Sequence, residues 1–218
     1  MSNNIDFEKL SNVLYSGLVC DTLDFFGYRN QSLGREFFPV LPEANLFGRA
    51  YTVVAKDIFE MPEDALVNQC RSIDDMKPGD IYVLSFLGKG NCGIWGEIMS
   101  TGARVKGGLG AIIDGVVRDT KMIMEMGFPV FCKGHLPTTS KGRAEITEWQ
   151  VPVMIDGVRI NPGDLIFADI DGVAIIPQEI ADKVIERALQ VLSSENVVRD
   201  KILNGDSIVD TYIEIGAI

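Results

Sequence analysis

At 218 residues, 46% hydrophobic and 23% charged, the chain carries enough apolar material for a sizeable core and is read as a single domain over residues 1–218. Twenty Lys and Arg against 31 Asp and Glu give a formal net charge of −11, which speaks against a nucleic-acid partner, because phosphate binding needs clustered cations. No apolar run approaches the roughly 18 residues needed to span a bilayer, so no membrane role is expected.

The N-terminal residues Met1-Ser2-Asn3-Asn4-Ile5-Asp6 lack signal-peptide features, and Cys20, Cys70, Cys92 and Cys132 are widely spaced with no CxxC. Together these predict a cytoplasmic protein with reduced, mostly buried thiols. The chain has one histidine, His135. A site of several histidines is therefore impossible, and any metal must be held by oxygen ligands, which points to magnesium, manganese or calcium.

In chain order, residues 6–27 carry Phe7, Leu10, Leu14, Leu18, Leu23 and Phe26 near helical spacing. They predict an N-terminal helical segment hinged at Ser16-Gly17, with Gly27 as its C-cap. Residues 32–45 read as loop, 48–55 as a strand, and 62–70 as a short helix opening on Pro62. Pro78-Gly79-Asp80 is a turn before a strand over 81–86. Residues 88–93 form a glycine-rich loop that matches neither a P-loop nor a dinucleotide fingerprint, and reads equally as an anion cradle or a plain turn. A helix starts near residues 94–96, and Gly107, Gly108 and Gly110 end it before the buried strand 109–113. Residues 119–126 predict a helix, 128–132 a strand, and 133–141 a loop holding His135. Short strands are expected at 151–155, 158–160, 165–169 and 173–176. A C-terminal amphipathic helix over about 178–204 is expected to break near Ser193-Ser194, with Glu195 at the start of its second part.

Asp156-Gly157-Val158-Arg159 echoes Asp114-Gly115-Val116-Val117-Arg118, so both Asp-Gly pairs are read as turn chemistry. The second copy has Ile160 after its arginine, whereas the first has an acid. Arg118-Asp119 is the distinctive pair. Arginine offers a planar fork for carboxylate or phosphate. Asp119 either caps the following helix or holds a divalent cation beside an anion gripped by Arg118. Glu97 sits in the first turn of its helix, where the dipole favours an acid in any case. Only the three together would make a site.

Gly96-Glu97, followed twenty residues on by Arg118-Asp119, resembles the pattern of the class II pyruvate aldolases that act on 4-hydroxy-4-methyl-2-oxoglutarate. These belong to the wider RraA-like family, named after the regulator of ribonuclease E activity A. Val19-Cys20-Asp21-Thr22-Leu23-Asp24, Gly48-Arg49-Ala50-Tyr51-Thr52-Val53, Pro162-Gly163-Asp164-Leu165 and Asp169-Ile170-Asp171-Gly172-Val173-Ala174 extend the resemblance over nearly the whole chain.

The resemblance implies a layered α/β/β/α sandwich of the swivelling-domain-like type, assembled as a ring-shaped homotrimer or a hexamer with active sites between subunits. It implies a divalent-metal-dependent lyase that releases pyruvate from a small 2-oxo acid, by retro-aldol cleavage or by oxaloacetate decarboxylation. Asp119 would ligate Mg²⁺ or Mn²⁺ and Glu97 would hold a metal-bound water. Arg118, Gly96 and the amides of Ile98 and Met99 would bind the substrate. Glu195 from an adjacent subunit would complete the site. Apart from the resemblance, Trp95, Lys89 and the 133–141 loop are candidates for the distal end of the substrate, which the sequence does not assign. Lys89, Lys106, Lys121 and Lys133 offer no activated amine for Schiff-base chemistry. The alternative is a non-catalytic regulator that binds a ribonuclease E-like partner.

Overall fold

A computed structural model describes residues 5–216. Its helices α1 (Phe7–Ser11) and α2 (Ser16–Phe25) precede strands β1 (Phe38–Pro39) and β2 (Leu46–Asp57). Then come α3 (Val67–Asp74), β3 (Asp80–Leu87), β4 (Gly93–Trp95), α4 (Glu97–Val105), β5 (Gly110–Val117), α5 (Thr120–Met126) and β6 (Val130–His135). Strands β7 (Ala144–Trp149), β8 (Val153–Ile155), β9 (Val158–Ile160), β10 (Leu165–Asp169) and β11 (Gly172–Ile176) follow. A 3₁₀ turn, Gln178–Ile180, leads into α6 (Ala181–Leu203) and α7 (Ile208–Ile215).

The fold is mixed α/β. Nine strands form one sheet in the order β1-β6-β5-β3-β2-β10-β11, with β4 beside the end of β5 and β7 beside β2. The centre, β6-β5-β3-β2, is parallel, and β10, β11, β7 and β1 add antiparallel edges. Strands buried on both faces read as continuous apolar runs, as in Ile81-Tyr82-Val83-Leu84 and Ala111-Ile112-Ile113. Their alternation sends Tyr51, Val53, Tyr82, Leu84, Ala111 and Ile113 to one cluster, closed by Ile73, Ala103 and Ile123 of α3, α4 and α5. The opposite set, Ala50, Ile81, Val83, Ile112 and Phe131, packs with the β8–β9 hairpin and also with Ile166 and Ile175 of the far strands, so the sheet curls around this second cluster. A third cluster seats α2 and α6 on Phe47, Phe167, Ala174 and Ile176. No helix among the described residues is long and apolar enough to cross a membrane.

Several expectations are corrected. The N-terminal segment breaks at residues 12–15 and α2 begins at Ser16, so Ser16-Gly17 is a helix start, where the Asp169 carboxylate accepts from both the amide and the hydroxyl of Ser16. The helix expected from residue 62 starts at Val67, after a turn in which Leu66 takes φ 73°. Helix α6 runs unbroken through Ser193-Ser194, because Ser194 Oγ bonds back to the Gln190 carbonyl and its neighbours stay helical. Asp114-Gly115 lies inside β5 and makes no turn, whereas Asp156 (φ 48°) and Gly157 (φ 80°) form the two-residue loop of the β8–β9 hairpin. Short β4, strand β7 and helix α7 were not foreseen.

The Asp-Gly echo nevertheless converges in space. Lys133 Nζ lies 2.8 Å from Asp114 and 2.7 Å from Asp156, and sits 4.8 Å above the Phe37 ring. This cluster ties the hairpin to the curled sheet.

Candidate active site

The site forms at the carboxyl ends of the parallel strands, where open α/β sheets bind ligands. Strand β4 pairs in parallel with the last residues of β5, Gly93 with Val116 and Trp95 with Val117. That pairing lays the N-terminus of α4 against the turn that follows β5. The Arg118 amide donates to the Trp95 carbonyl at 2.9 Å, and the Leu136 amide donates to Val117 at 2.9 Å. Trp95 is fully buried; its indole Nε1 donates to Ser100 Oγ at 2.8 Å, and its ring packs 4.7 Å from that of Tyr82. The helix start is thus anchored from below.

Two glycines permit this approach. A Cβ on Gly93 would meet the Leu136 carbonyl at 2.8 Å and Arg118 Cβ at 3.0 Å. A Cβ on Gly96 would meet Asp119 Oδ2 at 2.6 Å.

Asp119 occupies the left-handed region, φ 57°, at the N-cap of α5, yet its side chain makes no capping bond there. Its carbonyl takes the Met122 and Ile123 amides, and its carboxylate turns the other way. Oδ2 accepts a long bond from the Glu97 amide at 3.4 Å and lies 3.7 Å from Arg118 Nε. The helix-cap alternative for the Asp119 side chain is therefore overturned.

The first main-chain bond of α4 runs from the Ser100 amide to Gly96, which leaves the Ile98 and Met99 amides without a partner among the described residues. These donors, Arg118 and Asp119 border a cavity of about 110 Å³, whose other walls are Leu66, Gln69, Ile94 and the Thr139-Ser140 corner.

The sequence-predicted residues divide accordingly. Gly96, Ile98, Met99, Arg118 and Asp119 come together around this cavity, and Trp95 lines it. The Glu97 carboxylate does not face it; Oε1 accepts from Thr101 Oγ1 at 2.8 Å along the same helix. Glu195 lies on α6, where it takes a very short hydrogen bond from the Tyr15 hydroxyl. Burial and this bond push the Tyr15 phenol up to about 12. The Lys89 amide is held by Asp57 Oδ2 at 2.7 Å and the residue does not line the cavity.

Lys106, Lys121 and Lys133 pair with Asp74, Glu125 and Asp114/Asp156 respectively. Burial opposes the Lys133 charge, but hydrogen bonds and attraction from Asp114 and Asp156 outweigh it and raise the amine further, so it is no nucleophile. All four thiols are free, and burial pushes Cys132 up to about 11.

Leu66 and Gln69 were missed in the sequence. Leu66 immediately precedes and Gln69 sits on a short helix with no motif, and only the fold brings α3 to the cavity. Thr139 and Ser140 belong to the 133–141 loop already singled out.

No cluster of three or more His, Cys, Asp or Glu side chains exists among the described residues. A cation here would take one direct carboxylate, Asp119, with waters and substrate oxygens completing its shell. That is the manner in which magnesium is commonly held. The bare Cα of Gly96 keeps the space before Oδ2 open, so the donor set fits a hard divalent ion.

The fold and the site define a mixed α/β protein with a small pocket, bordered by Arg118, Asp119 and the start of α4, over the ends of its parallel strands. The chain belongs to the RraA-like family: the family model described as Aldolase/RraA matches residues 17–175. It is 31% identical over 146 residues to a Halalkalibacterium halodurans protein named "Putative 4-hydroxy-4-methyl-2-oxoglutarate aldolase", covering 66% of this chain and 68% of that protein. It is 29% identical over 212 residues to the Legionella pneumophila protein DlpA, covering 94% of this chain but only 34% of DlpA, so it spans about a third of that relative's length.

Among solved structures, one described as belonging to novel cellulases from gut-associated microbes superposes with a TM-score of 0.82 at 30% identity, covering 90% of each chain. Streptomyces coelicolor RraAS2, described as an unusual member of the RNase ES inhibitor RraA family, superposes at 0.77 with 26% identity, covering 88% of this chain and 94% of that one.

Proposed function

We propose that this protein is a divalent-metal-dependent carbon–carbon lyase that releases pyruvate from small 2-oxo acids. Its reactions would be retro-aldol cleavage of the 4-hydroxy-4-methyl-2-oxoglutarate type, decarboxylation of oxaloacetate, or both. One observation carries the reading. The Asp119 carboxylate leaves its own helix uncapped and turns toward the start of α4, beside the Arg118 fork and the open amides of Ile98 and Met99. The relatives named as aldolases support it.

In this reading Ile98 and Met99 donate to the substrate carboxylate at the positive end of α4. Gly96 leaves the room for that approach. Arg118 binds the keto acid and places its charge where the enolate oxygen develops. Asp119 would hold a Mg²⁺ or Mn²⁺ ion, which would supply Lewis-acid stabilisation of that charge, and Glu97 would reach a metal-bound water only by turning its carboxylate away from Thr101. The buried Trp95 and the Leu66–Gln69 wall restrict water around it. Glu195 of the partner subunit is the acid assigned to complete the site, in a ring-shaped trimer or paired hexamer of single-domain, α/β/β/α-layered subunits in the cytoplasm.

Pyruvate release from 4-hydroxy-4-methyl-2-oxoglutarate and from oxaloacetate, with Mg²⁺ or Mn²⁺ and with EDTA, tests the proposal. Turnover that needs metal and disappears in Asp119→Ala is expected. No metal-dependent turnover of either acid, or activity surviving Asp119→Ala, overturns it.

A second reading has its own observation. The exposed apolar residues Ile208, Val209, Tyr212 and Ile213 of α7, on a chain of net charge −11, suit a regulator that binds a basic, ribonuclease E-like partner. Removal of α7 that abolishes partner binding while leaving no lyase activity to explain would favour it.

A further inference from the structure

Ser140 is only 5% exposed, yet it lines the pocket that Arg118 and Asp119 border. Its carbonyl takes the Arg143 and Ala144 amides at 2.8 and 2.9 Å, which fixes the main chain there. Its hydroxyl has no hydrogen-bond partner among the described residues. Tyr51 Oη shares that condition, but it is sealed in the core cluster under α3 and α4, whereas Ser140 borders open space. Buried hydroxyls are ordinarily satisfied, so one that opens on a pocket without an internal partner marks where a ligand atom fits.

The strand pairing places this hydroxyl opposite the charged pair. Gly93 pairs in parallel with Val116 of β5 and also with Thr139, and its amide donates to the Thr138 carbonyl at 2.8 Å. Strand β4 therefore lies between the end of β5, which leads into Arg118 and Asp119, and the 138–140 run. Two strand spacings, roughly 10 Å, separate these flanks, and side chains reach inward from both. The other groups of the wall are committed or apolar. Gln69 directs its amide nitrogen to the Ile94 carbonyl at 2.6 Å, Thr139 Oγ1 takes the Lys141 amide at 3.2 Å, and Leu66, Ile94 and Met99 add apolar surface.

The lyase reading gives the substrate carboxylate to the Ile98 and Met99 amides and the keto oxygen to Arg118, and leaves one reacting group of the aldol substrate without a partner. That group is the hydroxyl on C4. In retro-aldol cleavage it gives its proton to water, the C3–C4 bond breaks, C4 becomes a carbonyl, and the electron pair passes into the enolate of pyruvate. Decarboxylation of oxaloacetate breaks the bond to the departing carboxylate and involves no such hydroxyl. We propose that Ser140 Oγ hydrogen-bonds the C4 oxygen and holds the C3–C4 bond in line for cleavage, itself neither gaining nor losing a proton. Ser140 is then the residue that serves the retro-aldol reaction and is idle in decarboxylation. The inference rests on the lyase reading of the pocket.

The test compares Ser140→Ala with the wild-type full chain in the presence of Mn²⁺. The readouts are kcat/KM for 4-hydroxy-4-methyl-2-oxoglutarate, kcat/KM for oxaloacetate, calorimetric binding of pyruvate, and a thermal melt. Loss of one neutral hydrogen bond to the substrate should lower the first about 10-fold and leave the second within about twofold. Pyruvate binding and the melting temperature should not change, because the hydroxyl serves neither the pyruvyl end nor the fold. Ser140→Cys, whose S–H is a weaker donor, should fall between the two. Equal losses for both acids, weakened pyruvate binding, a lowered melting temperature or an unchanged aldol rate overturns the assignment of Ser140 alone. So does a wild-type chain that decarboxylates oxaloacetate with metal but leaves the aldol acid intact. Failure of the wild-type chain on both acids overturns the lyase reading, and this inference with it.

Discussion

A side-chain carbon on Gly96 would stand 2.6 Å from Oδ2 of Asp119, inside any allowed contact. Gly96 has φ −155° and ψ −169°, an extended conformation open to every residue, so the need for glycine here is purely one of space. Gly96→Ala should therefore fold with a melting temperature near that of the wild type, and displace the Asp119 carboxylate. A displacement of about 1 Å in such a site costs on the order of 100-fold in rate. Kinetics of pyruvate release beside a thermal melt checks both halves.

Asp119 itself separates stability from function. At φ 57° a non-glycine residue is disfavoured, and aspartate tolerates the region better than alanine does. Asp119→Ala should lose about 1 kcal/mol of stability, whereas Asp119→Gly should stay within about 0.5 kcal/mol of the parent. Neither should show metal-dependent turnover. Urea titrations of the two variants, paired with the pyruvate assay, decide it; full activity in Asp119→Gly would remove the carboxylate from the site.

Arg118→Lys keeps the charge and loses the fork. The Arg118 main chain is fixed by its bond to Trp95, so a lysine starts from the same place but presents a single ammonium. The expected loss in kcat/KM is about 10- to 100-fold, in line with removal of one charged hydrogen bond. A loss confined to the diacid substrate would instead place Arg118 at the distal end.

Lys133 should act on stability alone. It is 18% exposed between Asp114 and Asp156, and Lys133→Met leaves two carboxylates facing each other without their cation. Breaking a fully buried pair costs roughly 3–5 kcal/mol; Asp156 is still 29% exposed, so about 2 kcal/mol is expected here. The folded-state pKa of Lys133 lies above its ordinary 10.5. Its contribution is thus complete below about that value and fades as the pH rises through the higher folded value. The gap in denaturation midpoint between wild type and variant should be full at neutral pH and narrow in strong alkali. Borohydride with pyruvate should trap no adduct on this lysine.

The candidate site was partly legible because its chemistry is local. Arg118-Asp119 follows a strand too apolar to be a loop, and Gly96-Glu97 opens a helix, so both halves could be placed on their elements without knowing the fold. The Asp-Gly echo misled in one copy only. Asp156-Gly157 makes its turn because a two-residue hairpin loop needs positive φ at both positions, while Asp114-Gly115 is carried through β5 at a shift of register, between Ile113 paired with Cys132 and Val116 paired with Gly134 of β6. The break expected at Ser193-Ser194 did not occur, since serines in a helix can bond back to the preceding turn and tertiary packing of Val184, Ala188 and Val198 keeps the helix whole. Short strands such as β4 carry too few residues for any periodicity, yet β4 is what carries α4 to Asp119.

By itself, the sequence determined the family, the apolar core strands with their helices, and Gly96, Arg118 and Asp119 as candidates, because apolar periodicity, glycine punctuation and an adjacent Arg-Asp pair are all encoded within a few neighbouring positions. Only the tertiary structure decided that the Asp119 carboxylate abandons its own helix, that Glu97 turns to Thr101, and that Leu66 and Gln69 wall the cavity. Those outcomes depend on which elements the curled sheet brings within a few ångströms of one another, and contacts between residues far apart in the chain leave no spacing to read.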